Sequence, residues 1–134
     1  MKKMTAILGI SILVIVIGIF SVYFTLTAPK DKGEFSVSDY SEEIGNVNFQ
    51  TEKTYDNITD YKSAAQAGKM AISERLEGLE GSVFKWIGCD VQYDSENDAY
   101  YVRTYDISPV PVSGGSYGVI MKSDGTVLAI WGEK

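Results

Sequence analysis

An α+β fold behind a membrane anchor follows from three features of the sequence. Residues 5–27 carry no charged side chain. One Ala-rich stretch near residues 60–77 repeats its small and apolar residues every three to four positions. The period then falls to two over several short runs parted by turn residues. Together these predict a membrane anchor over 1–28 and a stalk over 29–56. Residues 57–134 are then one helix packed on a four-strand antiparallel, curved meander sheet.

The anchor comes first. A helix rises about 1.5 Å per residue, so about 23 residues reach roughly 35 Å, enough to cross a hydrocarbon core of about 30 Å. Met1-Lys2-Lys3 also fits the positive start of a secretory signal, whose apolar core runs about 7–15 residues. This run is longer, and its small-residue exit, Leu26-Thr27-Ala28, is followed at once by Pro29. The single cysteine, Cys89, lies far away, which excludes a lipoprotein anchor. Lys2 and Lys3 on one side are nearly balanced by Lys30 and Lys32 on the other, so the expected orientation, a single-pass protein of the cell membrane with a cytoplasmic N-terminus and an extracytoplasmic C-terminal domain, rests on the N-terminal position of the anchor.

The stalk is rich in Ser, Asp, Glu and Asn, with Pro29, Gly33 and Gly45. Its apolar clusters, Phe35–Val37 and Val47–Phe49, fit either an added strand or a docked segment. The helix follows, with Thr59 or Asp60 as cap and Gly78 as its end. Tyr61, Ala64, Ala65, Gly68, Ala71, Ile72, Leu76 and Leu79 make its apolar face. The strands are read at Val83–Tyr93, Ala99–Tyr105, Ser116–Lys122 and Thr126–Trp131. Asp94–Asp98 is a polar turn. Asp106–Gly115 is a loop, because two prolines do not sit in a ladder. Ser123-Asp124-Gly125 is a hairpin turn.

The chain from residue 28 onward holds ten basic and eighteen acidic residues, a formal charge of −8. Such a domain is repelled by nucleic acid and by anionic headgroups, and it suits cations, basic peptides or a basic protein surface, while a solubilising surface charge accounts equally for most of these acids. One cysteine excludes an internal disulfide, and the absence of histidine removes Ser-His and Cys-His nucleophiles and histidine ligation. Hydrolysis on Asp90, Asp94, Glu96 or Asp106 is the remaining catalytic reading. Asp94, Glu96 and Asp98 stand at positions 1, 3 and 5 of a calcium loop, but Ala99 replaces its glycine and Tyr105 its bidentate Glu. A solvated turn is the simpler account, and no catalytic, metal or cofactor site is assigned.

Two strings carry a family resemblance. Val91 to Val102 follows the pattern V-x-Y-D-x-E-N-D-x-W-x-V, with Tyr100 where the pattern has Trp. Gly114 to Trp131 follows G-G-x-x-x-x-I-x-K-x-D-G-x-V-L-x-I-W. Over residues 57–134 the chain resembles the small bacterial immunity proteins of the nuclear transport factor two-like fold. That resemblance implies binding and neutralising a toxin, without catalysis.

Trp86, Tyr101, Arg103, Tyr105 and Trp131 alternate onto one side of the sheet. Aromatics and arginine dominate protein interfaces, so these five are the candidate partner-binding residues. The alternative is that they line the core, where a buried Arg103 would need a carboxylate such as Asp90 or Asp106. Gly114, Gly115, Asp124 and Gly125 are read as turn and loop residues. The expected partner is a toxin or an envelope protein, engaged through the sheet face and loops. An extracytoplasmic ligand-binding or regulatory module acting on a neighbouring envelope protein is the second reading.

Overall fold

A computed structural model describes residues 2–75, 87–107 and 116–133. Helix α1 spans Lys2–Thr27. None of it is buried, and it is long and apolar enough to cross a membrane, with a mean hydropathy of 2.7. Three of its hydroxyls bond within the helix: Ser11, Thr25 and Thr27 donate to carbonyls one turn earlier at 2.9, 2.8 and 2.7 Å.

Strand β1, Lys30–Glu34, follows α1 after only Ala28 and Pro29. A 3₁₀ turn at Val37–Tyr40, the short helix α2 (Ser41–Gly45) and a second 3₁₀ turn at Val47–Phe49 come next. Helix α3 is Tyr61–Arg75. Strands β2 to β5 are Ile87–Asp94, Ala99–Asp106, Ser116–Lys122 and Val127–Glu133.

The cap of α3 is Asp60. Its carboxylate accepts from Ser63 N at 2.7 Å, and Ser63 Oγ accepts in return from the amides of Thr59 and Asp60, each at 3.0 Å.

The sheet has five strands in the order β1-β2-β3-β4-β5. The expected four-strand antiparallel meander is present as β2 to β5, but the sheet is mixed, because β1 joins its edge parallel to β2. The physical reason that β1 escapes a pattern reading is its burial. All five of its residues, Lys-Asp-Lys-Gly-Glu, are exposed, so it has no apolar alternation and is held by backbone pairing alone. The expected strand start at Val83 and the helix end at Gly78 lie outside the described residues.

Each sheet face carries its own core. On one, α3 lays Ala64, Ala65, Ala71 and Ile72 against Cys89, Val91, Tyr100, Val102, Val119, Met121, Val127 and Ile130. Gly68 permits the closest approach: a Cβ there would stand 2.6 Å from the Val102 side chain. On the other face, Ala99, Tyr101, Ile120, Ala129 and Trp131 are roofed by Phe35, Val37, Tyr40, Ile44 and Phe49. The stretch read as a stalk is therefore, from β1 to Phe49, an edge strand and a strap across the sheet. After the strap, Tyr55 and Ile58 donate backbone hydrogen bonds to Gly125 O and Ser123 O at 2.9 and 2.8 Å, which ties the chain to the β4–β5 hairpin.

Candidate functional site: the open half of the outer sheet face

Register places Asp90, Arg103 and Gly118 side by side, and Gly118 faces Trp131. Tyr101 and Tyr105 share this face by the alternation of the strand. The face is divided. At the strap end, Tyr101 is 5% exposed and Trp131 8% exposed, with rings stacked 5.7 Å apart at 7°. Tyr40 lies over both, at 4.9 and 5.7 Å, and Phe35 closes on Tyr101 at 5.7 Å. The rings lie flat because Gly118 has no side chain; a Cβ there would sit 2.7 Å from the Trp131 ring and 3.1 Å from the Tyr101 ring. Of the five expected binding residues, these two are core.

Among the described residues, no segment covers the face beyond the strap. The Arg103 side chain is 45% exposed, and its Nε donates to Glu133 Oε2 at 2.5 Å. Ser116 Oγ donates to the same oxygen at 3.0 Å and accepts from Arg103 Nη2 at 3.4 Å. The buried Tyr101 hydroxyl donates to Glu133 Oε1. Burial alone would push the Glu133 carboxyl up, but the hydrogen bonds from Tyr101, Arg103 and Ser116 outweigh it and leave the pKa lowered. Burial, then the bond to Glu133, raises the Tyr101 phenol. Arg103 thus has a partner despite its exposure, and the partner is Glu133 rather than Asp90 or Asp106.

Tyr105 is half-buried and donates to Asp90 Oδ1 at 3.0 Å. Its ring lies across Gly88, where a Cβ would come within 2.3 Å. Burial followed by the Asp90 contact raises its pKa. The structure therefore brings Arg103 and Tyr105 together on the open half, with Glu133, Ser116 and Asp90 fixing their positions. Trp86, Gly114 and Gly115 lie outside the described residues. Asp124 and Gly125 form the β4–β5 turn: Asp124 Oδ1 accepts from Thr126 N at 2.9 Å, and Gly125 has φ +90°. A side chain at Gly125 would also strike the Tyr55 carbonyl.

Sequence reasoning missed Glu133, Ser116 and Tyr40. The signal for the first two is the β4–β5 hairpin register, which pairs Ser116 with Glu133. Tyr40 comes from a segment with no periodicity to mark it.

Of the carboxylates weighed for catalysis or calcium, Asp90, Asp94 and Asp98 are engaged structurally. Asp94 is 4% exposed and accepts from Val37 N at 2.8 Å, Glu96 N at 2.9 Å, Asn97 N at 3.0 Å and Asn97 Nδ2 at 2.8 Å. The Val37 amide, assisted by Asn97 and Glu96, outweighs burial and holds its carboxyl below the usual range. Asp94 is therefore the latch between strap and β2–β3 turn. Asp98 takes φ +49° and accepts from Ser123 Oγ and, at 2.7 Å, from Tyr93 OH. Among the described residues no three His, Cys, Asp or Glu side chains gather as a metal site. Cys89 is fully buried, and burial pushes its thiol up to about 11, which leaves it unreactive at neutral pH.

A cleft of about 560 Å³ opens on the helix side, between Thr51–Tyr55 and the end of α3. Its charges are satisfied within the chain. Lys53 pairs with Glu74, which also accepts from Tyr55 OH at 2.7 Å, and Arg75 donates to the carbonyls of Gln50 and Asn48. These contacts fasten the chain after the strap onto α3. No protein-family description, curated protein or solved structure matches this chain.

Proposed function

We propose that this chain is a membrane-anchored, non-enzymatic binding protein that resembles immunity proteins and engages a toxin or an envelope protein. The contact surface is the open half of the outer sheet face with its adjoining loops. The observation that carries this reading is the division of that face. The strap roofs the aromatic half, and among the described residues nothing covers the half where Arg103 and Tyr105 are already held by Glu133, Ser116 and Asp90. A side chain fixed before the encounter loses little rotamer freedom on binding, so such a surface binds at lower entropic cost. Arginine and tyrosine are also the types that anchor interfaces.

The second reading, a regulatory module for a neighbouring envelope protein, is favoured by the two-residue join between α1 and β1. That join leaves no flexible tether for a wide search. The test is a killing assay in which the full chain is co-expressed with the toxin encoded beside its gene, together with a pull-down of the two proteins. Protection and a stable complex, both lost in an Arg103→Ala/Tyr105→Ala double variant, are expected. A chain that neither protects nor binds refutes the immunity reading.

A further inference from the structure

The open half of the face lies at the bilayer end of the sheet. Lys30 of β1 pairs with Asp90 of β2, and Asp90 pairs with Arg103 of β3. Thr27 ends α1, and three residues of chain reach at most about 10 Å. Neighbouring strands are about 5 Å apart, so the Arg103 backbone stands within about 20 Å of the end of α1, whatever the angle between helix and sheet. Helix α1 also lies beside β2. Both turns, Asp94–Ala99 and Lys122–Thr126, occupy the opposite end of the sheet, and the strap reaches from Tyr101 to Trp131, beside Arg103 rather than over it.

From this we infer that the partner is a second protein anchored in the same bilayer, presenting a basic surface close to it. The inference rests on the binding reading above and adds the location and charge of what binds. Two physical arguments select this occupant. A face held this near a membrane is met most often by groups confined to the same surface, whose effective concentration there is far above that of a soluble protein. The domain also carries a formal charge of −8, and Asp90 and Glu133 stand on the face itself. Anionic headgroups are repelled by that field, whereas a basic polypeptide surface is drawn in.

The experiment places a benzophenone amino acid at Ile107, half-buried and two residues beyond Tyr105, in the full chain in cells. Photo-cross-linking is compared with and without a helical (EAAAK)₃ spacer between Thr27 and Ala28, which lifts the domain by about 22 Å. The expected result is a discrete adduct in the parent chain, lowered at least about tenfold by the spacer. Equal yields with and without the spacer overturn the shared-bilayer inference while leaving the binding face intact. No adduct in either chain overturns the binding face, and this inference with it. Buried Cys89 reports folding, because it stays unlabelled by maleimide in an intact domain. If the helical spacer exposes Cys89, a Gly/Ser spacer of equal length takes its place, with the same two outcomes read from it.

Discussion

The two faces of the sheet are built on opposite plans. The inner face is covered by one regular helix whose small residues let α3 lie directly on Val102. Among the described residues, the outer face is covered only in part, by an irregular strap that contributes rings rather than a continuous stripe. A regular element buries a continuous core, whereas an irregular one makes local contacts and leaves a remainder free. Among the described residues, the irregular cover is what separates a buried aromatic region from the exposed surface around Arg103.

The largest effect that would break this contrast is at Gly68. Gly68→Leu drives a side chain into Val102 and lifts α3, costing about 3 kcal/mol by urea unfolding of the detergent-solubilised chain. Loss of protection is expected across all strands at once in hydrogen exchange. A purely local loosening would show that the inner face is not the scaffold of the sheet.

Tyr40→Ala is the matching lesion outside. It removes a ring packed on both Tyr101 and Trp131 and costs about 2 kcal/mol. Here amides of residues 37–49 should exchange faster while α3 stays protected. Uniform loss of protection would mean that strap and sheet unfold as one unit.

Asp94 sharpens the comparison through pH. Its folded pKa lies below the unfolded value of 3.8, so its contribution is complete above that value. It is lost as pH falls through the lowered folded value. Acid should therefore release the strap only as pH falls below 3.8, read as a shift in Trp131 fluorescence, and Asp94→Ala should release it at neutral pH by about 1–3 kcal/mol. A Trp131 signal unchanged in that variant would argue that the latch is unnecessary.

The smallest effect on stability is expected at Arg103. Its ion pair with Glu133 is largely exposed, so Arg103→Ala should cost under about 1 kcal/mol in the same unfolding measurement. A loss several times larger would place Arg103 with the core instead of the open surface.

Much of the inner face was legible in the sequence, because a helix with Ala64, Ala65, Gly68, Ala71 and Ile72 on one side and strands of alternating pattern are local signals. The outer face was only half legible. Alternation put Tyr101, Arg103, Tyr105 and Trp131 on one side, but it does not say which of them another segment covers. Tyr101 and Trp131 are core because Phe35, Tyr40 and Phe49 reach them from far away in the chain. Nothing local to Lys30–Glu34 marks it as a strand, since its pairing uses the backbone and buries no side chain.

By itself, the sequence determined the apolar span of α1, the acidity of the domain, the helix and the four-strand meander, since each depends on composition or on a short period. Only the tertiary structure decided that the supposed stalk is a fifth strand and a strap, that Asp94 latches it, and that Glu133 holds Arg103. Those are contacts between distant residues, and register and burial set them, not any pattern within one segment.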